Sequence, residues 1–381
     1  MDKLSYHRHR YPSIVINVAA LSLVAGLACW TPAESQTPAA PLPSVGAVID
    51  ETSASGISSG AYMAGQFAVA HSKIVKGAAI IAGGPFGCAE NDAGTYSVFP
   101  SANNEQQAIF GCMLNVPGYW GIWKLWDTPS PERLAENTRK LAQDGRIDPI
   151  ESLTKERVYL FSGTEDHTVA SAIMEAAAEY YSRIGIPAEN IKYVKNVAAG
   201  HGFVTEDQGG ACGYTGYPYV VDCHYDQAGD LLKTIYGQLH PRAPEESGTL
   251  AAFDQRPFTA SLSNPGLADE GYVYIPAACK VDATCRIHVA FHGCLQNHDT
   301  VGDEFVKHTG FARWADANGI VVLFPQVASG NLSNPQGCWD WWGYTGSDYL
   351  THDAPQIEAV YSMLEKLAGS RTLGSGQNAN K

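Results

Sequence analysis

Positive charge is scarce in this sequence. Its 381 residues hold 25 lysines and arginines against 39 acidic residues, a net charge of −14, and only 17% of positions are charged. That balance leaves no basic surface for nucleic acid or anionic lipid. Metal-ligand spacing is also missing: the chain has no C-x-x-C pair and no H-E-x-x-H, so neither a metal nor another cofactor is expected. No internal repeat is found, which excludes a solenoid or an array. After Trp30 no apolar run reaches membrane-spanning length. What remains is apolar mass. With 45% hydrophobic residues, disorder is excluded for most of the length, and the chain is long enough to bury a sizeable core.

The N-terminus carries an export signal. Lys3, Arg8 and Arg10 precede an apolar run from Ile14 to Trp30, broken by Asn17 and Ser22, with small residues near Ala28. A basic segment, an apolar segment and a small-residue exit predict a signal peptide over 1–28, or to about residue 40. Secretion is therefore expected, as a monomer with no membrane attachment once the signal is removed. A periplasmic location, or a lipid anchor on Cys29, is the less favoured reading, because Gly26 stands where a lipidation signal wants a bulky aliphatic residue. Eight further cysteines, an even number in an exported chain, predict disulfides. Of the many connectivities eight cysteines admit, local spacing favours Cys88–Cys112, Cys212–Cys223, Cys279–Cys285 and Cys294–Cys338.

Along the chain, strand-like apolar runs alternate with helical patterns. The runs at Lys76–Ala82, Arg157–Phe161, Ile191–Val194, Ile287–Phe291 and Ile320–Phe324 predict buried strands. Between them, helical spacing is found over Tyr62–Ser72, Ser171–Ile184, Asp226–Leu239, Asp303–Asn318 and Asp353–Leu367. This alternation predicts an α/β fold with a mainly parallel sheet covered by helices on both faces. The expected single domain spans 41–370, followed by a flexible tail at 371–381. A Pro/Glu/Ser/Gly seam at His240–Thr249 is the clearest compositional break.

In such sheets the working residues collect past the carboxyl ends of the strands. After the segment Val45–Ser55 comes Gly56-Ile57-Ser58-Ser59-Gly60 and then a helical pattern. This G-x-S-x-G, in a strand–turn–helix context, is the sign of a nucleophile elbow, with Ser58 as the nucleophile. After Arg157–Phe161 a turn carries Asp166, and after Ile191–Val194 a loop carries His201 between Gly200 and Gly202. The order Ser58, Asp166, His201 is that of an α/β-hydrolase triad. Phe291-His292-Gly293 ends another strand, where an H-G pair supplies an N–H for an oxyanion hole; the second donor is the N–H of Ser59. In the usual hydrolase this H-G strand comes before the nucleophile. Here it follows the whole triad, so the chain is read as a circular permutation joined at His240–Thr249, with Asp353–Leu367 preceding the nucleophile strand in space.

These residues together resemble extracellular poly(3-hydroxybutyrate) depolymerases of the circularly permuted type. The segments that carry the resemblance are G-I-S-S-G-A-Y-M-A, G-T-E-D-H-T-V, A-G-H-G-F, F-H-G-C-L-Q and G-C-W-D-W-W-G-Y, in order between Val45 and Ala368. It implies Ser58, Asp166 and His201 as triad, the N–H groups of Ser59 and Cys294 as oxyanion hole, and a polyester or oligoester as substrate. One tryptophan beside Cys338 is implied to contact substrate, with Trp339 and Trp342 the candidates. Many members append a polymer-binding domain, whereas this chain ends soon after its last helix, so adsorption is expected from the catalytic domain's own surface. The rival expectations are a feruloyl or acetyl esterase on the same scaffold, and an inactive hydrolase-like protein that binds polymer.

Overall fold

A computed structural model describes residues 39–90, 104–114, 128–279 and 284–369. The expected signal peptide, Cys29 and the 371–381 tail lie outside these residues. Among the described residues no helix is long and apolar enough to cross a membrane.

Among the described residues, nine strands form one sheet. In chain order they begin with β1 (Ala40–Pro41), β2 (Thr52–Ile57), β3 (Val75–Ile81), β4 (Arg157–Phe161) and β5 (Ile191–Val194). A small second sheet follows, made of β6 (Phe203–Thr205), β7 (Gly210–Ala211) and β8 (Val220–Asp222). The main sheet is completed by β9 (Thr249–Asp254), β10 (Glu270–Ile275), β11 (Arg286–Phe291) and β12 (Ile320–Phe324), in the spatial order β1-β9-β10-β12-β11-β2-β3-β4-β5. From β12 to β5 every pairing is parallel, and only β10 runs antiparallel to its neighbours.

Side chains alternate across each strand, so the sheet has two apolar faces. One carries Ala54, Ile80, Leu160, Val289 and Leu323 and is covered by α1 (Ser59–Ala70), α4 (Ser171–Ile184) and α9 (Pro355–Ala368). Between α1 and α4 in the chain lie α2 (Pro131–Gln143) and the short α3 (Ile150–Leu153). The other face carries Ile81, Phe161, Ala290 and Phe324 and is covered by α5 (Gln227–Tyr236) and α8 (Phe311–Asn318), with the short α6 (His298–Val301) and α7 (Glu304–His308) before α8. The predicted helix Asp303–Asn318 is thus two helices. Gly310, in a left-handed conformation at φ 81°, separates them.

The predicted permutation is visible in this order. Strands β3, β4 and β5 lie on one side of β2, while everything after the seam, β9 to β12, lies on the other. The join is physical as well: the amides of Val45 and Ala47 both donate to the carbonyl of Leu367, at 3.0 and 3.3 Å. Helix α9 therefore runs into the approach to β2, although the two are at opposite ends of the sequence. Four disulfides, with the pairing that local spacing favoured, link Cys88–Cys112, Cys212–Cys223, Cys279–Cys285 and Cys294–Cys338.

Candidate active site

Between β2 and α1 the backbone turns at Ser58, which adopts φ 57°, ψ −124°, a conformation L-residues rarely take. The turn is held from both sides. The Ser58 N–H donates to the Ile81 carbonyl at 3.0 Å, and the Ser58 carbonyl accepts from Ala61 at 2.9 Å. The flanking glycines are demanded by contacts: a Cβ on Gly56 would lie 2.1 Å from the Gly60 carbonyl oxygen, and one on Gly60 would lie 2.3 Å from the carbonyl oxygens of Phe291 and His292. The elbow thus seats directly on the end of β11.

Asp166 and His201 meet from adjacent strand ends. His201 Nδ1 lies 2.9 Å from Asp166 Oδ2, and both side chains are almost fully buried. The other carboxylate oxygen, Oδ1, accepts the N–H groups of Thr168 and Val169 at 2.8 and 3.0 Å. One oxygen is therefore anchored to the turn and the other aimed at the imidazole. On the histidine side, the His201 N–H donates to Thr215 Oγ1 at 2.8 Å. The neighbouring Gly200 N–H donates to Cys212, so the Cys212–Cys223 disulfide braces this loop.

The H-G strand end positions the loop after it. His292 is fully buried and uses both ring nitrogens: Nε2 accepts the Val327 N–H at 3.2 Å and Nδ1–H donates to the Gly293 carbonyl at 2.8 Å. Burial depresses its pKa to about 4, so it is a neutral brace. Cys294 follows, tied to Cys338. Among the described residues, neither the Ser59 N–H nor the Cys294 N–H has an acceptor. The Ser59 N–H belongs to the first turn of α1, where helix geometry offers no intrahelical partner.

Ser58, His201 and Cys294 line one cavity of about 460 Å³. Its apolar wall includes Ile109, Met113, Leu295, Trp341 and Trp342. Of the two tryptophans expected there, Trp342 is on the wall and Trp339 is not: Trp339 is 0% exposed, packed edge-on to Phe291 at 4.9 Å behind the cleft. Trp341 takes the place expected for it, stacked on Tyr62 with ring centroids 4.1 Å apart. The reason is Asp340, buried between them. Its Oδ1 accepts from the amides of Trp342, Gly343 and Tyr344, and its Oδ2 from the amide and hydroxyl of Thr345. This cradle turns the chain so that Trp339 faces inward while Trp341 and Trp342 face the cavity. A single acidic residue inside an aromatic run was the signal for it.

No family model matches the chain. A poly(3-hydroxybutyrate) depolymerase of Delftia acidovorans is 38% identical over 323 residues, which is 84% of this chain and 60% of that protein. The chain thus spans three fifths of that relative's length. A polyhydroxybutyrate depolymerase of Talaromyces funiculosus is 33% identical over 349 residues, 87% of this chain and 94% of that protein. Among solved structures, PHB depolymerase from Penicillium funiculosum matches with a TM-score of 0.73 at 31% identity, covering 86% of this chain and 98% of that one. A PHB depolymerase with serine replaced by alanine, complexed with an R3HB trimer, matches with the same TM-score and coverage at 30% identity.

Proposed function

The chain belongs to the polyhydroxybutyrate depolymerase family and is an ester hydrolase; from that premise we propose a secreted serine esterase that cleaves poly(3-hydroxybutyrate) or its oligomers through an acyl-enzyme on Ser58. The observation that carries the reading is the 2.9 Å contact between Asp166 and His201 at a cavity that Ser58 also lines.

In this mechanism His201 takes the Ser58 proton, and the alkoxide attacks the ester carbonyl. Asp166 holds the imidazole with Nδ1 protonated, leaving Nε2 as the base, and stabilises the cation that forms. The N–H groups of Ser59 and Cys294 receive the developing oxyanion, each worth about 3–4 kcal/mol if removed. His201 then protonates the leaving alcohol, and water admitted to the same position hydrolyses the acyl-enzyme.

The surface around the cavity supports a polymer substrate. Among the described residues, the exposed large hydrophobic ones are Ile109, Leu114, Tyr214, Tyr217 and Leu332. Each lines the cavity or lies within two residues of one that does. An apolar rim of this kind fits adsorption to a solid polyester. Export is supported by the basic and apolar N-terminal segment together with four disulfides.

The test compares Ser58→Ala with Ser59→Ala on a 3-hydroxybutyrate oligomer, with methyl ferulate as the alternative substrate. Ser58→Ala should abolish hydrolysis with the fold intact. Ser59→Ala should keep substantial activity, because only its N–H enters the chemistry, but should melt lower, since its Oγ accepts the buried Trp339 N–H at 3.3 Å. Faster turnover of methyl ferulate than of the oligomer would move the substrate to plant cell-wall esters.

A further inference from the structure

At the end of α1 remote from Ser58, three side chains from distant parts of the sequence converge. His71 caps α1, Asp148 sits in the loop before α3, and His352 in the loop before α9. One ligand atom from each lies within 4.8 Å of the others, and His352 Nε2 is 3.6 Å from Asp148 Oδ1. The buried Nε2 of His71 has no hydrogen-bond partner among the described residues. Backbone bonds hold the three strands of chain in place: the Asp148 N–H donates to Ala70 at 3.0 Å, and the His352 N–H to Arg146 at 3.0 Å.

We propose that His71, Asp148 and His352 form a binding site for a divalent transition-metal ion of the zinc class. Two imidazoles and a carboxylate are the donor set such an ion takes, with water completing the tetrahedron. Bonds of about 2.0–2.1 Å place tetrahedral ligands roughly 3.3 Å apart. The His352–Asp148 pair already has nearly that spacing, at 3.6 Å, and the His71 ligand atom lies within 4.8 Å of both. An orphaned buried imidazole nitrogen is costly in an ordinary ion-pair cluster and is satisfied by a metal bond.

One cation competes. Lys73 Nζ lies 3.0 Å from Asp148 Oδ1, the oxygen an ion would use, but its side chain is 60% exposed and free to swing into solvent. The site acts as a staple between α1 and the loops before α3 and α9. Helix α1 spans 12 residues, so about 18 Å separates the staple from the nucleophile. It stabilises the fold and takes no part in ester cleavage.

The full-length protein, stripped with EDTA and titrated with Zn²⁺, tests this. The expected result is a site at which His352→Gln and His71→Gln each bind at least tenfold more weakly than the parent. An excess of about a hundred times Kd should raise Tm by about 5 °C. Co²⁺ in the same site should give the visible absorption of a tetrahedral complex. His71 packs on Tyr361 and Phe67, so its variant also tests folding; His352→Gln, on the more exposed ligand, and Lys73→Ala do not carry that burden. Lys73→Ala should tighten Zn²⁺ binding several-fold, and soluble-ester hydrolysis should not change with Zn²⁺ or EDTA. Equal Zn²⁺ affinity in the parent and all three variants, or no Zn²⁺-dependent rise in Tm, would overturn the proposal.

Discussion

Gly60 and His292 are in backbone contact across the site: a methyl group on Gly60 would lie 2.3 Å from the His292 carbonyl oxygen. Helix α1, which follows Ser58, and the loop carrying Cys294 are therefore positioned by one another. Neither atom set is the flexible end of a side chain, so the contact cannot relax locally. Gly60→Ala should push the Cys294 loop away from Ser58 and lower kcat on a soluble oligomer by about a hundredfold or more. Gly145→Ala is the control, at φ 70° with nothing near its added carbon. It should cost stability and leave the kinetics intact, as steady-state rates and melting curves of the two variants would show.

The Cys294–Cys338 disulfide ties the loop proposed to hold the oxyanion to the tryptophan segment. Cys294→Ala keeps the N–H but frees the loop that holds it, so kcat should fall more than KM rises, with a lower Tm. Losing a native bridge costs about 2–5 kcal/mol. Cys338→Ala should give nearly the same defect, and the double variant little more, because each breaks the same bond. Strict additivity in a double-mutant cycle would show that the two sites act separately.

Asp340 holds the cavity wall without touching the reacting atoms. Burial pushes its carboxyl up, and hydrogen bonds from Thr345, Gly343 and Tyr344 pull it back. Asp340→Asn turns one acceptor into a donor that faces other donors. The loop from Trp341 to Thr345 should loosen, raising KM for oligomers about tenfold or more while a small ester such as an acetate loses less. Tryptophan fluorescence should shift to the red as Trp342 gains water.

Glu156 supplies a pH dependence. It is 1% exposed, neither carboxylate oxygen has a partner among the described residues, and burial raises its pKa well above 4.5. Above pH 4.5 the folded state holds this proton and the unfolded state does not, so stability falls as pH rises from there toward the folded-state pKa. Glu156→Gln, neutral throughout, should raise Tm by a few degrees at pH 8, and its advantage should vanish near pH 4. An equal effect at both pH values would mean that the carboxyl does not titrate between them.

How far the site could be read without coordinates depended on whether its signal was local. Ser58, Asp166 and His201 each follow a strand end, and strand ends are marked by a change in hydrophobic period and by turn residues. Strand β2 itself is harder to read. Ser53 and Ser55 look polar, yet both are buried against His288 of β11, with Oγ–ring distances of 2.7 and 2.8 Å. Strands β9 and β10 are absent from the predicted set. The first alternates between exposed and half-buried positions over its first four residues and buries only Phe253, a pattern too weak to separate from loop. Three tryptophans within four residues cannot be ranked by type alone, and which of them met the cavity was settled by Asp340.

By itself, the sequence determined the alternation of strands and helices, the cysteine pairs joined over short distances, the permuted order, and the strand ends at which Ser58, Asp166 and His201 lie. All of these are carried by neighbours along the chain, through periodicity and turn chemistry. Only the tertiary structure decided the seating of Gly60 on His292, the packing of Trp339 against Phe291, and the meeting of His71, Asp148 and His352. Those contacts join residues that the chain separates by tens to hundreds of positions. No local pattern encodes such a meeting, because the backbone path that brings the partners together is set by packing of the whole sheet.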